Sequence, residues 1–278
     1  MIPALLKDEA LLRDIESAEE DNSRPHLWWL GQSGFLIAFE DHRLLLDPYL
    51  SNSLTNKYAG SDKPHVRISE RVLSPEQLPK IDAVTSTHNH TDHLDPETLL
   101  PLLRTNPQMR LVIPEANREF VSAKLGTPSL WPDGLNAGGR AEIGPFTIQA
   151  IPAAHEALSV DLLGHHHFLG YVVECGQRTI YHSGDTIRYS GMEQWLEPWS
   201  IDVALLPING RLPERRVSGN LWGREAAQLA WDIGAGLTIP CHFDMFEFNT
   251  VSPNDFTSEC AALSCAHRVL RHGERWSL

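Results

Sequence analysis

The sequence predicts an α/β protein, a sheet-based sandwich covered by helices, and three observations carry that reading. Three short apolar runs near the start are joined by connections of hairpin length. Strands and helices then alternate between residues 81 and 125. The remainder is strand-rich and is broken by one clear helix. With 278 residues, 42% hydrophobic and 21% charged, the chain has an ordinary globular composition. No linker, fixed-period repeat or low-complexity tract interrupts it, so a single domain spanning 1–278 is expected.

Residues 4–20 are amphipathic and read as a helix, ended by Asp21-Asn22-Ser23-Arg24-Pro25. The apolar runs 26–30, 35–39 and 43–46 follow. Their links, Gly31-Gln32-Ser33-Gly34 and Glu40-Asp41-His42, predict an antiparallel meander. Trp28 and Trp29 point to opposite faces of the first strand, so at least one is core. Residues 52–79 are polar and rich in Ser, Lys and Pro. They read as a long loop with little regular structure, of the kind compact domains keep to border a pocket. Next come a strand at 81–85, a helix at 96–103, a strand at 111–113 and a helix at 115–125. Asp95 is the N-cap of the 96–103 helix, and Pro96 sits in its first turn. Further strands are expected at 146–151, 169–175, 178–182, 203–206 and 237–239, with a helix at 223–232.

Lys and Arg number 23 against 36 Asp and Glu, a net charge of −13, which repels polyanions at long range and argues against nucleic acid as a partner. The four cysteines show no C-x-x-C spacing and read as buried reduced thiols. No apolar run approaches the roughly 20 residues of a membrane helix, and the start lacks the features of a secretory signal. A soluble, cytoplasmic protein acting on a small molecule is therefore expected, with no membrane partner; a homo-oligomer is compatible with this reading.

Histidine is the unusual residue, at 14. The segment Ser86-Thr87-His88-Asn89-His90-Thr91-Asp92-His93-Leu94-Asp95 follows a strand directly. Residues two apart in an extended turn point the same way, so His88 and His90 can grip one metal while Asp92 and His93, past the bend, face a second. Imidazole with carboxylate suits zinc, manganese or iron, and two metals about 3.5 to 4 Å apart form a recognised hydrolytic arrangement. His155, Asp185 and His242 each stand just past the end of a strand candidate. Ligands collect beyond the carboxyl ends of strands in α/β architectures, so three strands can deliver His, Asp and His to the same edge. Thr87 and Asp95 are candidates to support this set from behind.

The sequence resembles the metallo-β-lactamase superfamily, and within it the branch of the L-ascorbate-6-phosphate lactonases and their uncharacterised relatives. The resemblance rests on Trp28-Trp29-Leu30-Gly31-Gln32-Ser33-Gly34, Leu46-Asp47-Pro48, residues 87–95, Tyr181-His182-Ser183-Gly184-Asp185 and Ile239-Pro240-Cys241-His242-Phe243-Asp244. The chain is shorter than expected of those lactonases, and its loop Leu206-Pro207-Ile208-Asn209-Gly210-Arg211 suits the broader relatives better. The resemblance implies a four-layer αβ/βα sandwich holding two divalent metal ions, manganese or zinc. It places His88, His90 and His155 on one metal, Asp92, His93 and His242 on the other, and Asp185 between them.

Such a pair would lower the pKa of a bridging water from about 15.7 toward about 7, so that no protein nucleophile is needed. Asp92 and Asp185 are the expected catalytic carboxylates, Asp92 orienting the hydroxide or passing a proton to the leaving group. Asp47 either accepts a hydrogen bond from a ligand histidine or simply ends its strand. His182 is read as supporting the site from behind or as core. Asn209, Arg211, Arg188 and Asn249 are candidates to bind substrate, Arg211 by clamping a phosphate or carboxylate, with Arg188 and Tyr189 as its rivals. The residues Phe243, Met245, Phe246 and Phe248 either line an apolar pocket wall or pack. His165-His166-His167 reads as a loop near the pocket, since adjacent residues diverge and seldom share an ion. The expected activity is hydrolysis of a small anionic ester, a sugar-derived lactone first. Phosphodiester hydrolysis and a non-catalytic metal scaffold are the rival readings.

Overall fold

Strand β1 (His26–Gly31) is buried at every position because its two faces meet two different layers. Leu27 and Trp29 belong to a cluster of 41 buried residues between the sheets. Trp28 and Leu30 belong to a second cluster of 22, on the outer face. Both tryptophans are therefore core, and each indole N–H is satisfied: Trp28 donates to Asp14 Oδ2 at 2.8 Å and Trp29 to the Gln32 carbonyl at 2.9 Å. The same alternation continues through β2 (Gly34–Phe39) and β3 (His42–Leu46), where Phe35, Ile37, Leu44 and Leu46 face inward and Leu36, Ala38 and Leu45 face outward.

The structure, a computed structural model, describes residues 1–278. Helix α1 (Asp8–Ala18) precedes the meander, and α2 (Ser53–Tyr58) follows it. Then come β4 (Ala83–Thr85), α3 (Pro96–Thr105), β5 (Arg110–Pro114), α4 (Arg118–Leu125) and β6 (Asp133–Leu135). The second half runs β7 (Arg140–Ile143), β8 (Phe146–Pro152), β9 (Leu169–Cys175), β10 (Arg178–His182), α5 (Met192–Leu196) and β11 (Val203–Pro207). It ends with α6 (Gly223–Asp232), β12 (Leu237–Cys241), α7 (Asn254–Leu263) and β13 (Arg275–Ser277).

Two mixed sheets result, ordered β13-β1-β2-β3-β4-β5-β6 and β12-β11-β10-β9-β8-β7. From β3 to β6 the first sheet is parallel, as is the second from β10 to β12; the remaining pairings are antiparallel. Helices α1, α3 and α4 close the outer face of the first sheet, and α6 with α7 covers β11 and β12. The layer order helix, sheet, sheet, helix is the αβ/βα sandwich. Parallel register aligns Leu46 with Thr85, His182 with Leu205 and Pro207 with Cys241. The chain thus leaves β3, β4, β10, β11 and β12 along one edge of the sandwich, and β8 ends there too.

Some expected elements moved. The first helix starts at Asp8, not at residue 4, because Lys7 is extended, with φ −146° and ψ 161°, and the segment before it is tied across the chain, Ile2 and Leu5 donating to the carbonyls of Ile68 and His272 at 2.6 and 2.8 Å. The 52–79 segment is mostly irregular but contains α2 and a single 3-10 turn at Pro75–Gln77. Strands β6, β7 and β13 and helices α5 and α7 gave no sequence signal. The first three are four residues or fewer, and α7 buries only Phe256 and Cys260, too few to make an apolar period.

Arg43 pins α1 to the first sheet. Its guanidinium meets Glu19, just past the helix, with Nε to Oε1 at 2.5 Å and Nη2 to Oε2 at 2.8 Å, and Nη1 donates to the Pro79 carbonyl at 2.8 Å. The side chains are 3% and 13% exposed, so removing the carboxylate strands a buried charge. Glu19→Ala should cost about 3 kcal/mol, read as a lower midpoint in urea denaturation; an unchanged midpoint would mean the pair contributes nothing net.

Candidate metal centre

The loop after β4 is held at both ends. Ser86 donates its amide to Val112 O at 2.9 Å, and Asp95 caps α3 by accepting from the Glu97 amide at 3.3 Å and from Thr98 Oγ1 at 2.6 Å. Between these anchors the amides of His93 and Leu94 both bond to His90 O, at 3.0 and 2.8 Å. This turn carries the His93 ring back against His88, with centroids 4.1 Å apart, while it sets His93 beside Asp92 and His242. The ligand atoms of His88, His90 and His155 lie within 4.8 Å of one another, and so do those of Asp92, His93 and His242. Asp185 stands between the two groups: Oδ1 is 3.4 Å from His93 Nε2, and Oδ2 is 3.2 Å from His242 Nε2 and 3.6 Å from His155 Nε2.

Every one of the seven side chains marked from the sequence reaches this edge. Backbone geometry helps to bring them there: His242 and Asp47 have φ of 60° and 41°, and Gly184, just before Asp185, has φ of 60°. A Cβ at Gly184 would lie 2.7 Å from Thr87 Cβ, so the close approach of the two loops requires glycine there.

His88 Nε2, His93 Nε2 and Asp185 Oδ1 are buried without a hydrogen-bond partner. Stranding such groups costs about 1 to 3 kcal/mol each unless something takes their lone pairs. Five imidazoles and two carboxylates around such orphaned atoms fit divalent zinc or manganese.

Asp47 also lies near His88 and His93, but its oxygens are committed. Oδ2 is 2.5 Å from His93 Nδ1 and accepts from Thr87 Oγ1 at 2.5 Å, while Oδ1 accepts the Thr87 amide at 2.9 Å. Thr87 Oγ1 in turn sits 3.1 Å from His88 Nδ1, and His155 Nδ1 sits 2.9 Å from the Gly219 carbonyl. With Nδ1 so engaged, each of these rings presents Nε2 to the centre.

Charge follows from the same packing. Burial, with His93 and His90 adding to it, holds His88 well below the usual histidine range. Burial opposes charge on His93 and His242 too, yet the carboxylates of Asp185 and Asp92 outweigh it, raising His93 well above its ordinary value and His242 to about 9. Burial would raise Asp185, but His242 and His93 hold it well below the carboxylate range. The two carboxylates thus hold compensating positive charge on His93 and His242, in the place a cation would take.

Two contributors were not singled out in the sequence. Gln32 Nε2 donates to Asp92 Oδ2 at 2.8 Å and approaches His242 Nε2 at 3.1 Å. Its position in a turn of the resemblance segment, with φ of 52°, was the only hint. Phe168 packs against the rings of His88, His90 and His155, at centroid distances of 5.4, 6.5 and 5.7 Å; nothing in sequence marked it.

Other candidates lie elsewhere. Arg211 is locked to Glu225 by two 2.7 Å bonds, and Arg188 is held between Glu193 and Asp232, so neither lines the cleft or clamps an anion. Asn209 is buried and donates to Asn249 Oδ1 at 3.0 Å, accepting from Asn220 Nδ2 at 3.0 Å; it braces the wall and does not face substrate. Asn249 does line the cleft. His182 is fully buried, 3.0 Å from the Ser33 carbonyl and edge-on to Phe35, which makes it core. His165, His166 and His167 turn to Asp161, Asn136 and Asn117 respectively, so they form no cluster. All four cysteines are free, and burial pushes the Cys241 thiol far up.

Asp92, His155, Asp185 and His242 open onto a cleft of about 930 Å³. The 52–79 segment supplies Leu54, Lys57, Tyr58 and His65 to its wall, and Phe246 and Phe248 complete that side, while Phe243 and Met245 pack beneath.

An αβ/βα sandwich with a His/Asp cluster at the carboxyl ends of its strands defines a class of metallohydrolase-fold proteins. Residues 42–243 match the beta-lactamase superfamily domain, and the chain belongs to the metallo-β-lactamase superfamily. It is 27% identical over 249 residues to a UPF0173 metal-dependent hydrolase from Caldivirga maquilingensis, covering 88% of this chain and 93% of that one. A UPF0173 metal-dependent hydrolase from Methanoregula boonei is 30% identical over 234 residues, covering 83% and 87%. Among solved structures, a metallo hydrolase from Ignicoccus hospitalis superposes with a TM-score of 0.65 at 22% identity, over 91% of this chain and 98% of that one. An isothiocyanate hydrolase from Delia radicum gut bacteria gives 0.71 at 16% identity, over 91% and 98%. These structural likenesses concern the fold.

Two outcomes are expected of this geometry. Asp47→Ala should weaken metal affinity about 10- to 100-fold by freeing His93, measured by chelator competition; unaltered affinity would leave Asp47 a turn residue. Metal binding needs neutral imidazole, and His242 keeps its proton up to about 9 in the metal-free protein. Loading at pH 7 should therefore release protons, and affinity should fall as pH drops, which calorimetry in buffers of different ionisation enthalpy would show.

Proposed function

We propose that this protein is a metal-dependent hydrolase that uses a two-metal centre to cleave a carboxylic ester bond in a small, anionic molecule, a class that includes sugar-derived lactones. The observation that carries the reading is Asp185 standing between two groups of three ligands, at the base of an open cleft. His88, His90 and His155 would hold one cation, Asp92, His93 and His242 the other, and Asp185 both. When bound, zinc or manganese supplies a hydroxide nucleophile at neutral pH and a Lewis acid for the carbonyl oxygen.

The chain's own groups do the rest. Asp92 Oδ2 faces His93 and His242, at 3.7 and 3.5 Å, and accepts from Gln32. Its carboxylate is 17% exposed toward the cleft, so Oδ1 can take the proton lost by the attacking water and return it to the leaving alcohol. Water adds across the acyl C–O bond, giving a carboxylate and an alcohol. Gln32 keeps Asp92 from rotating, and Phe168 shields the three-histidine side from bulk water. The −13 net charge counts against a nucleic-acid phosphodiester substrate, and the open cleft against a sealed non-catalytic scaffold.

His90→Ala should lose most bound metal and nearly all hydrolysis. The check is metal analysis of purified protein with a lactone, ester, phosphodiester and thioester panel. A fully active, metal-free variant, or wild-type activity confined to nucleic acid, would overturn the proposal.

A further inference from the structure

The cleft wall opposite the metal edge is built from a third apolar cluster, separate from the two main cores, containing Tyr49, Leu54, Met245 and Phe246, with Tyr58 and Phe248 packed on it. Tyr58 stacks on His65 at 4.2 Å and 18°, and Phe248 meets the His65 edge at 4.5 Å. His65 turns Nδ1 to the Lys63 carbonyl at 3.2 Å, which fixes the ring in this stack. The result is a preorganised aromatic wall in which Tyr58 covers one face of the buried His65 ring and Phe248 stands at 62° to it, with Phe120, 47% exposed, also lining the cleft. Exposed apolar surface of this kind on a concave site suits a ligand's apolar face.

The charge of the cleft departs from that of the chain. Acids outnumber bases 36 to 23 overall, yet the only acids lining the cleft are Asp92 and Asp185, both at the metal end, against Lys57, Lys124 and Arg216. Arg216 is taken by Asp62 at 2.8 Å. Nearby Lys63 is spent on the carbonyls of Arg215 and Arg216 at 2.9 and 2.8 Å. Lys57 and Lys124 have no carboxylate partner. Lys124 Nζ reaches only Thr91 Oγ1, at 3.4 Å, one residue from His90 and Asp92. Each ammonium lies beside an aromatic ring, Lys57 at 5.1 Å from the Tyr58 centroid and Lys124 at 5.4 Å from that of Phe120. Both ammonium groups line the same cleft; burial lowers the Lys124 pKa, which Asp95 opposes and Lys57 assists.

We infer that the cleft selects substrates with a planar apolar body ending in a carboxylate, the ring set against Tyr58 and Phe248, which the buried His65 ring holds in place, and the anion held between Lys57 and Lys124. The inference rests on the hydrolytic reading of the metal edge and names the body of its substrate. It places an aryl carboxylate ester ahead of a polyhydroxylated lactone. Two unpaired ammonium groups supply the charge-assisted donors a carboxylate needs, and the aromatic wall supplies the area.

The test uses the metal-loaded full chain and the fluorescent probe 6-hydroxy-2-naphthoate, with 6-hydroxy-2-naphthamide as the neutral ring and hexitol 6-phosphate as the anion without a ring. Naphthoate should bind at least tenfold more tightly than either. K57Q/K124Q should lose that tenfold while binding naphthamide as before, at unchanged metal content and melting temperature, and F248A should weaken both ring compounds at unchanged metal content. Naphthoate binding that survives K57Q/K124Q would put the carboxylate on the metals and overturn the inference, as would tighter binding of the hexitol phosphate. Hydrolysis of 6-acetoxy-2-naphthoate separates the two readings. No turnover with the binding pattern intact counts against ester hydrolysis alone, whereas turnover whose KM ignores both lysines counts against the subsite alone.

Discussion

The structure turns on the cost of burying two carboxylates together. Asp92 and Asp185 share one edge of the sandwich, with side chains 17% and 4% exposed, and carboxylates so placed repel unless positive charge lies between them. Five imidazoles surround them, and two of these, His93 and His242, are driven to hold protons that their burial alone would expel. A divalent cation relieves the same repulsion without protons and satisfies the orphaned nitrogens of His88 and His93. The cluster is thus a site whose electrostatics call for metal, and the geometry around it keeps it so.

That geometry comes from the sheets. Parallel register brings β3 and β4 of one sheet and β10, β11 and β12 of the other out at one edge, so that Asp47 and the 86–95 loop leave adjacent strands while Asp185 and His242 leave strands separated only by β11. The Asp47, Thr87, His88 and His93 network then holds two imidazoles in orientation from behind. Gly184 allows the Asp185 loop to approach Thr87 closely. Rigid strands set the ligand positions to within ångströms, and short turns aim the side chains, a division of labour suited to chemistry that tolerates little displacement.

The cleft is made differently. Its aromatic wall belongs to a small cluster of its own, formed by α2 and the segments around His65 and Phe246, with 4 buried residues against 41 and 22 in the main cores. Such satellite clusters under long loops can change composition without disturbing the sheets. In the proposed function, the metal edge would set what reaction is possible and the loop wall which molecule reaches it.

Much of this was legible in the sequence, for physical reasons. Period-two burial in β1 to β3 and the capped helix after Asp95 are local properties, and local properties survive in one dimension. The motif from His88 to His93 is likewise local, and His155, Asp185 and His242 could be marked because each directly follows a strand. What escaped depended on distant partners. Arg211 and Arg188 look free in the chain and are bound by Glu225 and Asp232 only after folding. Conversely, Gln32 gains its role from Asp92, 60 positions away, and His65 from the rings stacked around it. The sequence by itself determined which groups could ligate and at which strand ends they stand, since both follow from residue type and short-range pattern. The tertiary structure alone decided which charges were already paired and which rings met to form a wall, because pairing and stacking are contacts between segments whose separation along the chain carries no trace of their distance in space.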